Sequence, residues 1–395
     1  MKSFFKLTAL LFVTVIASPG TAQNREIKFE QGNWASILEK AKKENKIIYL
    51  DCYTTWCGPC KWMAKNVFTN DTVADFYNSN FITVEMDMEK GEGKDLAVKY
   101  GIRAYPTMLY LNPSGDMLHR TCGSTPVQHF VENGKDALDP AKQLATATKK
   151  FNNGNTDPAF ASVYFEMLEN GCQGHDAELK NYFGNQKESD LTSRSNWNIM
   201  YNYLADYSSA QFIYLEKNKE AFAKLYTMDS VQGKINSVYN AGLLQAIRKK
   251  DDAGYQTLKT KIKAADNAGS EKIIMEADMK FYQRNADWKN YAATAVAYAG
   301  KYAKDDANAL NSLAWTFYEQ VTDKAMLAEA EKWAKHATEL NNVYAYADTY
   351  AAVLYKSGKK DLAKKTAENA IELAKKSGDD YKETEELLRK INKMK

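Results

Sequence analysis

The chain has 395 residues, 45% of them hydrophobic and 26% charged, and a formal net charge of only +3. That length suits two or three domains. Seven prolines and 20 glycines exclude a proline-rich or collagenous chain, five cysteines are too few for a disulfide-built scaffold of this size, and the near-neutral charge gives no footing for nucleic acid or an acidic membrane.

The N-terminus is basic through Lys6, then uncharged and mostly apolar from Leu7 to Ala17. It ends in the small, turn-forming Ser18-Pro19-Gly20-Thr21-Ala22. This layout predicts a secretory signal peptide over 1–22, cleaved after Ala22. The apolar run is about half the roughly 20 residues that span a bilayer. No later segment reads as a span, so the mature chain is expected to be exported without a transmembrane segment. In a two-membrane bacterium the destination is the periplasm, where disulfides persist.

The next stretch alternates between helix and strand. Asn33 reads as the cap of a helix running to Ala41. Ile47 to Tyr53 reads as a buried strand. A helix is expected from near Cys57 past Met63 towards Phe68, and another over Thr72 to Asn78. Phe81 to Asp87 is the next strand, and Gly93 to Tyr100 a short helix. Thr107–Leu111 and Met117–Thr121 flank Asn112-Pro113-Ser114-Gly115, a hairpin signal. A last helix opens at Ser124-Thr125-Pro126, with proline allowed in the first turn.

Beyond Asp139 only Pro140 and Pro158 remain, and strand-like runs disappear. Helices are predicted near 157–170, 191–207, 208–225, 231–249, 252–266, 270–284, 287–302, 305–320, 323–340, 343–357, 359–377 and 380–393. Small residues recur in the last part. Ala330 and Ala363 are 33 apart, as are Ala337 and Ala370, while Ala314 and Ala351 are 37 apart. Residues 305–376 thereby resemble tetratricopeptide repeats, in which small residues let two helices cross closely. The six alanines are expected to be buried. Asn311, Trp315, Tyr318, Tyr346 and Tyr350 are then left, as a group, to line a concave partner-binding face, although for any one of them packing against a neighbouring helix is the favoured expectation.

The chemistry concentrates in Trp56-Cys57-Gly58-Pro59-Cys60-Lys61. A zinc site would need two further ligands, yet His119, His129, His175 and His336 show no paired spacing and no second Cys-x-x-Cys exists. A structural disulfide explains neither the Trp and Gly-Pro nor the place between strand and helix. At a helix N-terminus, free amides and the dipole favour the Cys57 thiolate. Cys60, one turn on, is within reach to resolve a mixed disulfide.

With these residues, the segment from Asn24 to about Leu138 resembles a thioredoxin-like domain. Asp51 stands six residues before Cys57, Tyr105-Pro106-Thr107 matches the family's cis-proline loop, and Gly115 and Gly123 match its hairpin and final turn. Asp51-Cys52-Tyr53-Thr54-Thr55-Trp56 is similar to exported thioredoxin-like proteins of Gram-negative bacteria. The resemblance implies a thioredoxin fold, with a central mixed sheet flanked by helices, followed by an all-α helical-hairpin array. The implied segments are a thioredoxin-like domain over 23–140, a helical domain over 141–304 and repeats over 305–395.

It also implies dithiol–disulfide exchange through a redox-active Cys57–Cys60 disulfide. Catalytic roles fall to Cys57, Cys60, Asp51 and Pro106, and the substrate groove to Trp56, Gly58, Pro59, Tyr105 and Gly123. No cofactor, metal or nucleic acid is required. The implied partners are exported proteins with disulfides and a membrane thiol that donates electrons. Gly-Pro between the cysteines is similar to reducing members, so reduction is the expected direction. An oxidase or isomerase using the same site, and a scaffold whose helical array is the working part, stay open as alternatives.

One position departs from the family. Glu85 stands on the strand beside Asp51 where many members keep a lysine. The favoured expectation is that Glu85 points to solvent and Asp51 acts alone; otherwise the two carboxylates raise at least one pKa. Cys52 is expected as a buried inert thiol. Cys122 borders the groove, and Cys172 sits in an exposed turn between helices.

Overall fold

Strands β1 (Ile47–Tyr53), β2 (Phe81–Asp87), β3 (Thr107–Leu111) and β4 (Met117–Cys122) form one sheet in the order β2-β1-β3-β4 in the computed structural model. It describes residues 25–265 and 267–394. The signal peptide expected over 1–22 lies outside the described residues. β1 pairs parallel with β2 and antiparallel with β3, and β3 pairs antiparallel with β4. β1 is central and covered on both faces, which is why its sequence is almost continuously apolar.

Five helices accompany the sheet: α1 (Trp34–Glu44), α2 (Gly58–Asn66), α3 (Asp71–Asn80), α4 (Gly93–Lys99) and α5 (Val127–Leu138). Asn33 caps α1 by accepting from the Ser36 amide at 2.9 Å, and Asn70 caps α3 through the Thr72 amide at 3.0 Å. These are the side-chain caps that Asn supplies to orphan amides. α2 stops at Asn66, short of Phe68, and Pro126 is the N-cap of α5 rather than a residue of its first turn.

The face of β1 carrying Tyr49 packs with Met63, Val67, Tyr77, Tyr110 and Phe130. The Tyr77 ring stacks on Phe130 at 4.3 Å. Its hydroxyl donates to the Phe130 carbonyl at 2.7 Å and shares a 2.8 Å bond with the Tyr110 hydroxyl. A tyrosine can be buried here because its polar end is satisfied. The opposite face buries Ile48, Leu50, Cys52, Leu109 and Leu111 against Ile37, Ala41 and Leu96. Gly134 of α5 is required by close packing: a Cβ there would lie 2.6 Å from the Phe76 ring and 3.1 Å from the Tyr77 hydroxyl.

Packing divides the chain after Ile199. The first unit continues past α5 into α6 (Leu144–Asn152), α7 (Pro158–Asn170) and α8 (Asp176–Gly184). α6 and α7 lie against β4. The Leu144 amide donates to His119 Nδ1 at 3.2 Å, and a Cβ at Gly171 would lie 2.9 Å from Arg120 Cγ. These helices bury the edge strand, an arrangement that prevents edge pairing with other chains. They also leave His119 and Arg120 inside. α6 and α8 are absent from the predicted helices, since nine residues each give too few turns for periodicity to stand out.

The second unit is helical, with α9 (Arg194–Tyr203) carrying the division. α10 (Ala210–Lys217), α11 (Lys219–Tyr226), α12 (Met228–Lys249), α13 (Asp252–Ala265), α14 (Ser270–Arg284) and α15 (Trp288–Tyr302) follow. α16 (Ala307–Gln320), α17 (Lys324–Leu340), α18 (Tyr344–Lys356), α19 (Lys360–Ser377) and α20 (Lys382–Asn392) complete it. The single helix predicted over 208–225 is two, broken at Asn218. Ala314, Ala330, Ala337, Ala351, Ala363 and Ala370 are fully buried, and α16 packs on α17 and α18 on α19. The aromatic residues pack against neighbouring helices, as favoured for each of them singly, and do not form the open face considered for the group. Tyr346 is buried, and Trp315, Tyr318 and Tyr350 are partly buried against Ala351, Leu354 and Leu387. Among the described residues, no helix is long and apolar enough to cross a membrane.

Candidate active site

β1 delivers the chain to Cys57, the N-cap of α2. Cys57 has extended backbone (φ −70°, ψ 108°), so its side chain turns back over the first helical turn. Cys57 Sγ accepts from the Cys60 amide at 3.0 Å. Gly58 and Pro59 fill the first turn, where the missing proline N–H costs nothing. Cys57 and Cys60 are disulfide-bonded, with Cα atoms 5.3 Å apart. Once the bond is reduced, the same amide and the dipole of α2 favour the Cys57 thiolate.

The aromatic and proline residues frame this disulfide. Trp56 is 65% exposed; its Nε1 donates to Glu89 at 3.0 Å, and its ring meets the Tyr105 ring edge-on at 5.9 Å. The Tyr105–Pro106 peptide bond is cis, as the resemblance implies. The Pro106 carbonyl accepts from the Gly123 amide at 2.8 Å, and Gly123 adopts φ +84°, which a glycine takes without strain. The Thr125 amide donates to Met63 Sδ at 3.3 Å, tying this loop to α2. Gly58, Pro59, Trp62, Ser124, Thr125 and Pro126 line a groove of about 460 Å³. Trp62, 46% exposed, is a groove residue absent from those the sequence resemblance implies. The available signal was a large aromatic two residues past the second cysteine.

Behind the disulfide, Asp51 alternates with Tyr49 on β1 and so shares the sheet face packed by α2. It is 4% exposed, and its Oδ1 has no hydrogen-bond partner among the described residues. Burial and then the charge of Glu85 push its pKa up to about 7. Glu85 is paired directly with Asp51 across β1 and β2. Its side chain is exposed, as the favoured expectation has it. Asp51 does not act alone, however, because the carboxylate charge still reaches it.

Cys52 is fully buried and free. Cys122 and Cys172, read separately in the sequence, form a second disulfide. Their pairing depends on the turn between α7 and α8 docking at the end of β4, and nothing in local sequence records that.

The thioredoxin family's sequence model matches residues 26–135. Thioredoxin Asp f 29 of Aspergillus fumigatus is 30% identical over 88 residues, covering 22% of this chain and 76% of that protein. The thiol:disulfide interchange protein DsbD of Pseudomonas fluorescens is 28% identical over 98 residues, 24% of this chain and 17% of that one. A solved Bacteroides thetaiotaomicron protein, described as a candidate disulphide-isomerase, is 42% identical and covers 30% of this chain and 98% of its own, with a TM-score of 0.28. The chain spans 59% to 76% of the length of four curated thioredoxins that it matches.

Proposed function

Because the chain belongs to the thioredoxin family through residues 26–135, a family of thiol–disulfide oxidoreductases, we propose that it reduces or exchanges disulfides in other exported proteins. The observation that supports this best is the Cys57 sulfur capping α2 and accepting from the Cys60 amide. In the proposed cycle the Cys57 thiolate attacks a client disulfide. One client sulfur leaves as a thiolate, and a Cys57–client disulfide forms. The Cys60 thiolate then attacks Cys57 Sγ, releasing the second client thiolate and closing the Cys57–Cys60 bond. Two electrons pass from the dithiol to the client.

Asp51, with its pKa raised to about 7, holds a proton near neutrality and serves as the acid–base partner of Cys60. Trp56, Tyr105, Pro106 and Gly123, with Trp62 added, hold the client beside the disulfide. Export rests on the basic, apolar and small-residue order of 1–22. Outside the cytoplasm the dithiol needs a thiol electron donor, which this reading places at the membrane. The helical repeats over 305–395 engage partner proteins in this reading.

The test is reduction of a protein disulfide by dithiothreitol with and without the full-length protein. The expected result is an acceleration of about tenfold or more at micromolar protein. Equal rates in both arms would overturn the reading.

A further inference from the structure

We propose that the cavity between β4 and helices α6–α8 takes a small thiol carrying a carboxylate and an ammonium group, of the cysteine or glutathione type, and that this thiol exchanges with the Cys122–Cys172 disulfide at Cys172. The cavity measures about 400 Å³ and is bounded by Tyr100, Arg103, Arg120, Tyr164, Cys172 and Glu178. That volume lies within the range of small-molecule sites.

Its charge is unbalanced in a way that points to an anion. Arg120 is 1% exposed. Its Nη1 donates to the Tyr100 carbonyl at 3.0 Å, while Nε and Nη2 have no partner among the described residues. It makes no ion pair with any described carboxylate. A guanidinium keeps its proton inside a protein, and a buried charge without a partner is costly. Arg120 borders the cavity, so this charge acts at short range on whatever enters it. Arg103 adds an exposed guanidinium at the rim. Glu178, also in the wall, gives an ammonium a counter-charge.

The cavity wall also holds a sulfur. Of the two disulfide cysteines, Cys172 lines the cavity and is the more exposed residue, so a thiolate held there attacks the Cys172 sulfur. Attack by RS⁻ on Cys172 Sγ forms RS–S–Cys172 and releases the Cys122 thiolate. A second RS⁻ attacks the small-thiol sulfur of that mixed disulfide, giving RS–SR and the Cys172 thiolate. The two small thiols supply the two electrons. The exchange unpins the α7–α8 turn from Cys122, the residue directly before Gly123, whose amide holds the Pro106 carbonyl.

The experiment uses the full-length protein carrying Cys57→Ser and Cys60→Ser, so it stands apart from the reading of that site. Glutathione, 2-mercaptoethanol (neutral) and cysteamine (cationic) are supplied at equal thiolate concentration, and adducts are located by peptide mass spectrometry after acid quenching. Glutathione is expected to react with saturation, about fivefold or more faster than 2-mercaptoethanol, and to modify Cys172. Arg120→Met is expected to abolish the preference for glutathione and leave the 2-mercaptoethanol rate unchanged, and an undiminished preference in the folded variant would overturn the proposal. Should that variant fail to fold, Arg103→Ser at the rim is expected to cut the glutathione preference about threefold and leave the 2-mercaptoethanol rate unchanged. Equal rate constants for the three thiols, an adduct on Cys122, or free Cys122 and Cys172 in the air-oxidised protein would each overturn the proposal.

Discussion

Cys60→Ser is expected to accumulate protein clients as mixed disulfides on Cys57, while Cys57→Ser is expected to trap none and to lower exchange roughly 10³-fold or more. Exposure does not rank the two sulfurs, since Cys57 is 3% and Cys60 6% exposed. The hydrogen bond does. Cys57 Sγ receives an amide N–H at the start of α2, and an anion there is favoured by the dipole and by charge-assisted bonding. Without Cys57 the nucleophile is absent. Without Cys60 the nucleophile attacks but the product cannot be resolved. Non-reducing gels followed by peptide mapping separate the outcomes, and equal trapping by both variants would reverse the assignment.

Asp51→Asn is expected to stabilise the protein at pH 8.5 by about 2–4 kcal/mol and to leave stability nearly unchanged at pH 4. The folded pKa is raised, from the ordinary 3.8 to about 7, by burial first and Glu85 second. Well below the ordinary 3.8 the acid is protonated in both the folded and unfolded chain, and no charge is buried. Between pH 4 and 7 the unfolded chain ionises and the folded one does not, so the unfolded state binds fewer protons and stability falls as pH rises. Above about pH 7 the full cost of a buried carboxylate is present. Asparagine has no such slope. Denaturant midpoints measured across this range test the claim, and parallel pH profiles for the two proteins would contradict it.

Much of the first unit was legible because its signals are local. β1 and β2 are apolar runs, Asn33 is a cap at the expected offset, and Pro59 belongs in a first helical turn. The Asp51–Glu85 pairing is implied by the family resemblance, which places a residue of the neighbouring strand beside the buried acid, and not by any local pattern in the two strands. What stayed hidden depends on docking over long sequence separations. His119 and Arg120 are polar residues on consecutive positions of an edge strand, and both are buried where α6 and α7 lie against β4. Cys122 and Cys172 stand 50 residues apart, and no motif announces their approach. In the second unit, burial of the six alanines followed from spacing. An open face shared by Trp315, Tyr318, Tyr346 and Tyr350 did not follow, because the packing of successive helices decides which side of a helix stays open.

The central claim is that Cys57 is a nucleophile activated by its place at the start of α2. Its most direct test is the pH dependence of alkylation in the reduced protein, read by iodoacetamide labelling and mass spectrometry of the Cys57 and Cys60 peptides. The account predicts that Cys57 labels with an apparent pKa below the free-thiol value of about 8.5, and that Cys60 stays largely unlabelled over that range. A Cys57 profile centred at or above the free-thiol value, or faster labelling of Cys60, would contradict it.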